Sequence, residues 1–117
     1  MIVIIGAFLL LSLPALAEDK QVYLESITDM PLMAGLAEID GNSFTFDKLD
    51  GRLIETVASG KIDSDTIEAY YRQTLPQLGW QEKAANVWAR DHEKISITTQ
   101  KQNDTTYVRF TLSPEKP

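Results

Sequence analysis

One helical pattern, between Asp63 and Gly79, constrains this chain more than any other feature. Ile67, Tyr71, Thr74, Leu75 and Leu78 fall on one side of a helix, while Glu68, Ala69, Arg72, Gln73 and Gln77 occupy the rest. Asp63 and Ser64 both suit an N-cap, and Asp65 and Glu68 place negative charge where the first free N–H groups point. Pro76 cannot donate to the helical ladder, so the last turn must kink or tighten. Gly79 suits the left-handed residue that closes a helix. An amphipathic helix of about four turns follows, and its apolar stripe needs a surface to cover it.

The surface available is a sheet. Phe44 and Phe46 alternate with Thr45 and Asp47, Asp50-Gly51 is a turn dipeptide, and Arg52 to Ser59 is rich in strand formers. This reads as a β-hairpin. A two-residue turn at Asp50-Gly51 sets Phe46 opposite Glu55, and a longer loop with a bulge is the alternative. After the helix come a short piece, Trp80 to Lys83, and then Val87 to Arg90, Lys94 to Gln100 and Thr105 to Leu112. Alternation puts Ile95, Ile97 and Thr99 on one face, with Ser96 and Thr98 on the other. It turns Val108, Phe110 and Leu112 inward and Tyr107, Arg109 and Thr111 outward.

The expected fold is therefore α+β: an N-terminal β-hairpin, one amphipathic helix, then a three-strand antiparallel meander, with the helix on one face of the sheet. Tyr71, Leu75 and Leu78 belong to its core, and Trp80 locks helix to sheet. Tyr70 sits at the edge of the stripe and is the better placed of the two tyrosines to touch a partner. The domain spans residues 37–113. Residues 18–36 form an extended lead-in, poorly ordered over 18–29 and apolar from Met30 to Leu36, and residues 114–117 form a frayed tail.

The first seventeen residues, MIVIIGAFLLLSLPALA, are a nearly unbroken apolar run ending in Ala15-Leu16-Ala17, a small-x-small cleavage pattern, with Glu18-Asp19 next. This reads as a secretory signal peptide cut after Ala17, although no Lys or Arg precedes the run. A retained membrane anchor is the alternative, at the lower limit of length for a bilayer span. The rest of the chain is long enough for one domain that buries roughly 60–70% of its unfolded surface. It contains no cysteine, which excludes disulfides, a thiolate metal site and a lipid-modified N-terminal cysteine.

Seventeen acidic against eleven basic residues give a net charge of −6, and the basic residues are scattered. Such a surface opposes phosphate backbones and anionic lipid heads, so nucleic acid is excluded as a partner. The search for chemistry finds little. His92 lies in the turn Asp91-His92-Glu93, where a histidine is ordinarily solvated. Carboxylate pairs are plentiful (Asp47 with Asp50, Asp63 with Asp65, Glu38 with Asp40), but cap and turn roles account for most of them. No catalytic residue, metal ligand or cofactor site is singled out.

The segments "DMPLMAGL", "GRLIETVASG", "AYYRQTLPQLGW" and "VRFTLSP" resemble a loose group of small exported bacterial proteins of unknown function. The resemblance covers Asp29 to Pro114 and implies an export address and a one-helix α+β fold. It brings no catalytic residues. The expected function is a small non-catalytic binding module of the cell envelope, periplasmic, with an envelope protein or a small molecule as partner and no stable membrane insertion once the leader is cut. Tyr70, Tyr107 and Arg109 are the candidate contact residues. The other readings are a small carboxylate-dependent hydrolase and a membrane-tethered structural protein that keeps its leader.

Overall fold

The computed structural model describes residues 20–115. The expected leader over residues 1–17, with Ala15 and Ala17 at its cleavage site, lies outside them, as do residues 116–117 of the expected tail. The strands are β1 (Ala37–Glu38), β2 (Phe44–Lys48), β3 (Gly51–Gly60), β4 (Gln81–Ala84), β5 (Val87–Arg90), β6 (Glu93–Gln102) and β7 (Thr105–Pro114). Among the described residues the single α-helix, α1 (Ser64–Thr74), runs into a 3-10 turn over Leu75–Leu78. All described strands join one antiparallel sheet in the order β1-β3-β7-β6-β5-β4, and β2 pairs with β3 on the same edge as β1. The class is α+β, as expected.

The connection from β3 to β4 explains the topology. It carries the chain from one side of the sheet to the far edge, a gap of about 19 Å at roughly 4.8 Å per strand. Eleven residues of α-helix and four of 3-10 helix reach about 24 Å, enough to cross that gap obliquely. β4 to β7 then return strand by strand until β7 lands beside β3. The meander therefore has four strands rather than the expected three. The short piece expected over Trp80 to Lys83 is β4, Gln81–Ala84, which pairs with β5 across a bulge between Glu82 and Ala84.

The inward face of the sheet carries Ile54, Thr56 and Ala58 of β3, Thr106, Val108, Phe110 and Leu112 of β7, Ile95 and Ile97 of β6, and Trp88 of β5, all buried. Ile67, Tyr71 and Leu75 cover them from the helix side. Leu78, expected in the same stripe, is 37% exposed. The tighter winding after Pro76 takes it out of phase with the α-helical stripe. Gly79 is left-handed at φ 89°, and the Trp80 N–H donates to Leu75 O at 3.1 Å while the Gly79 N–H donates to Pro76 O at 3.2 Å. Trp80 drops into the core at 2% exposure. The Arg90 guanidinium lies 4.5 Å above its ring, donates to Leu78 O at 3.0 Å and pairs with Asp29.

Three expectations need correction. Of the stretch read as poorly ordered over 18–29, the described residues 20–29 belong to a closed loop. The Leu24 N–H donates to Met30 O at 2.9 Å and the Leu32 N–H to Val22 O at 2.8 Å. Leu24, Ile27 and Met30 are fully buried in the core cluster. Their spacing matches neither a helix nor a strand because the chain folds back between them. In the hairpin, Leu49-Asp50 form the turn, so Phe46 faces Leu53 and Phe44 faces Glu55. Gly51, at φ 145°, serves a close approach instead: a Cβ there would lie 3.0 Å from the Pro114 ring. Pro114, placed in the frayed tail, stands opposite Glu93 at the end of β7, and the Glu115 N–H donates to His92 O at 2.7 Å.

Tyr71 ties the layers together. Its hydroxyl donates to Pro31 O at 2.8 Å and accepts from the Met33 N–H at 3.3 Å, and its ring meets Phe110 edge-on at 5.5 Å. Burial pushes its pKa far above the usual phenol range. Tyr71→Phe keeps the ring and leaves the buried Pro31 carbonyl without its donor. A loss of about 1–2 kcal/mol in urea unfolding is expected, with an unchanged denaturant slope.

Candidate functional site

The two faces of the sheet differ in what covers them. α1 and the lead-in cover the inward face; no described helix covers the outward one. Residues paired across strands share a face, so Phe44, Glu55, Thr111, Ser96 and Val87 form one row of the outward face. Phe46 and Leu53 lie in the next row toward the hairpin tip. Phe44 is 50% exposed, Phe46 59%, and Leu49 stands fully in solvent at the tip. The ladder between β3 and β7 ends at Ile54 with Leu112, while Gly51 still lies against Pro114 and Arg52 pairs with Glu93 at 3.2 Å, so the base of the hairpin stays joined to the sheet and Leu49 at its tip is exposed. The result is an arm with an apolar outward side.

Tyr107 and Arg109 belong to this outward face. Arg109 stands opposite Val57, and its guanidinium donates to Glu55, two residues along β3. Tyr107 is half-buried opposite Ser59. A shallow cavity of about 280 Å³ is lined by Val57, Thr98, Thr99, Gln100, Tyr107 and Arg109. A second, of about 270 Å³, extends past Val57 and Tyr107 to Ile39 and Asn42. Together they form a furrow beside an ion pair, open to solvent and joined by a row of residues to the aromatic arm.

Tyr70 is elsewhere. It lies on the helix side, half-buried against the core, with its ring 4.9 Å edge-on to Tyr71 and its hydroxyl 3.4 Å from Gln21 Oε1. It lines a groove of about 280 Å³ with Val22, Leu32, Met33 and Leu36. The structure thus brings Tyr107 and Arg109 together and separates them from Tyr70 by the thickness of the sheet and core. His92 lines a polar cavity of about 380 Å³ with Lys83, Arg90, Asp91 and Glu115. Among the described residues, no group of three His, Asp or Glu side chains is placed to hold a metal ion.

Sequence reasoning named Glu38 only as half of a carboxylate pair. The structure makes it a hub. One carboxylate oxygen accepts from Thr56 Oγ1 at 2.6 Å and from Ser26 Oγ at 2.8 Å, and the other accepts from the Glu25 N–H at 2.8 Å. β1 aligns Glu38 with Ala58, on the core side of an edge strand, and the folded-back loop caps it there. Burial pushes the Glu38 pKa up, but the bonds from Thr56, Glu25 and Ser26 outweigh burial and hold it below the usual carboxylate value. Nothing beside Glu38 in the sequence hinted at this, because its partners Glu25, Ser26 and Thr56 lie 12 to 18 residues away.

No protein-family model matches the chain, and no curated protein or solved structure does either.

Glu38→Gln replaces an acceptor of three donors by a group that must turn an NH₂ toward one side. A stability loss of about 1–3 kcal/mol at pH 7 is expected. A folded-state pKa below the unfolded one gives stability that is present above the unfolded pKa and lost as pH falls through the folded one. The acid limb of the wild-type stability curve should accordingly be flatter in the variant, read by thermal unfolding across the acid range.

Proposed function

We propose that this protein is a small, exported, non-catalytic binding module of the cell envelope that contacts a protein or small molecule through its outward sheet face. The observation that carries the reading is the β2–β3 arm, where Phe44, Phe46 and Leu49 stand in solvent on the hairpin whose Glu55 pairs with Arg109 of the furrow. Exposed aromatic side chains cost solubility, and a contiguous apolar patch on a small acidic protein marks a contact surface. Export, and a periplasmic address in particular, is supported by the apolar run ending at Ala15-Leu16-Ala17 and by the resemblance to small exported bacterial proteins. The reading requires no cofactor and no nucleic acid.

A carboxylate hydrolase would need a carboxyl group raised in pKa within a cleft. Glu38 moves the other way and has its acceptor sites filled, which favours binding over catalysis. A tethered structural protein would keep the leader, and the mass of the protein recovered from cells separates that reading from export with cleavage.

In-cell crosslinking of the tagged protein, with mass spectrometry of what is captured, tests the proposal. Phe44→Ala combined with Phe46→Ala should abolish the dominant crosslink at a stability cost of about 1–2 kcal/mol, the loss expected for two half-exposed strand residues paired across the hairpin. An unchanged set of crosslinks would remove the outward face as the contact surface.

A further inference from the structure

The sheet has two outer edges, and they are built differently. At one end β4 is four residues long and broken by a bulge between Glu82 and Ala84, and charged Glu82 and Lys83 lie on it. These devices keep an edge from pairing with another strand. At the other end β2 is a regular five-residue strand, FTFDK, exposed along its whole length; it too carries two charges, Asp47 and Lys48, but it has no bulge or proline. Its described partner is β3 alone, because β1 ends at Glu38 and the chain loops out over residues 39–43 before β2 begins.

The register states which backbone groups of β2 are free. The turn of two residues makes Lys48 and Gly51 the closing pair of the hairpin, and in such hairpins the closing pair exchanges its hydrogen bonds. Bonded and non-bonded pairs then alternate. Phe44, Phe46 and Lys48 turn their N–H and C=O groups toward β3, while those of Thr45 and Asp47 point out of the sheet. These two residues flank Phe46 symmetrically.

We infer that the free edge of β2 pairs antiparallel with the β2 edge of a second copy of this chain, about a two-fold axis at Phe46. This rests on the reading of the arm as a contact surface and names the occupant of its edge. In that register Thr45 of one copy faces Asp47 of the other, and both pairs can exchange their N–H and C=O bonds. Phe46 faces Phe46 at a non-bonded position, where side chains come closest, and Phe44 faces Lys48. No like charges stand opposite one another, so the strand is electrostatically complementary to itself although the protein as a whole carries −6. The contact is isologous and closes as a dimer. It brings Phe44, Phe46 and Leu53 of both copies into one stripe on the outward face of a continuous sheet.

Sedimentation equilibrium on the protein purified from cells expressing the full chain tests this inference. A five-residue edge is a small interface, so a dissociation constant of about 10–100 μM is expected. Added salt should tighten it by screening the net negative charge. Thr45→Pro removes an outward N–H without touching the bonds to β3, and Phe46→Lys sets two ammonium groups across the axis. Each should weaken the dimer at least about tenfold, with circular dichroism and the melting temperature showing an intact fold. A wild type that stays monomeric at about 1 mM overturns the inference, as does a dimer indifferent to both substitutions. The wider reading of the outward face stands or falls separately, on whether the crosslinks to other molecules depend on Phe44 and Phe46.

Discussion

A single phenol holds the layers of this domain together. The Tyr71 ring reaches the sheet through Phe110, and its hydroxyl reaches the lead-in through Pro31 and Met33. Helix, sheet and lead-in lie far apart in sequence, and none of them buries its apolar surface alone. A phenylalanine at this position would supply the same area. The tyrosine adds direction, because a buried backbone carbonyl and a buried N–H must find partners, and one hydroxyl meets both. The lead-in is thereby placed over the core at a defined position, where Leu24, Ile27 and Met30 complete it.

One-sided covering then determines what the rest of the molecule offers. A sheet with one helix and one folded loop uses both of them on the inward face. The outward face is left to polar residues, to the Glu55–Arg109 pair, and to the apolar side chains of the arm. Glu38 serves the same covering from the other end: it pins residues 25 and 26 to β3 through Thr56 and closes the side of the core that the helix does not reach. Tyr70, on the covered side, both packs against the core and lines the groove beside the lead-in.

The sequence carried some of this plainly. The helix and its start after Asp63 (whose side chain makes no capping hydrogen bond), the left-handed Gly79 and the inward-outward alternation of β6 and β7 follow from local rules, because helical and strand periods need no knowledge of distant residues. What it did not carry were features set by contacts between distant segments. Gly51 looked like a turn residue and is instead the smooth spot against Pro114, sixty-odd residues away, and the hairpin register moved accordingly. The core role of Leu24, Ile27 and Met30 depends on a fold-back with no period of its own. Tyr107 and Arg109 were placed outward correctly from alternation, while the outward aspect of Phe44 and Phe46 depended on a register that local rules left open.

The position of β7 has a consequence for how the chain acquires its shape. The last described strand lies between β3 and β6, and Ile54 waits for Leu112 just as Gly60 waits for Thr106. Until residues near 112 have been made, β3 has no neighbour on its inner side, and the helix has only part of the surface it must cover. Pairings across such separations close slowly, since the loop entropy is lost before the contacts form. The joining of β3 to β6 and the full cover of the helix therefore wait for β7, while the pairings of β2 with β3 and of β4 with β5 and β6 do not.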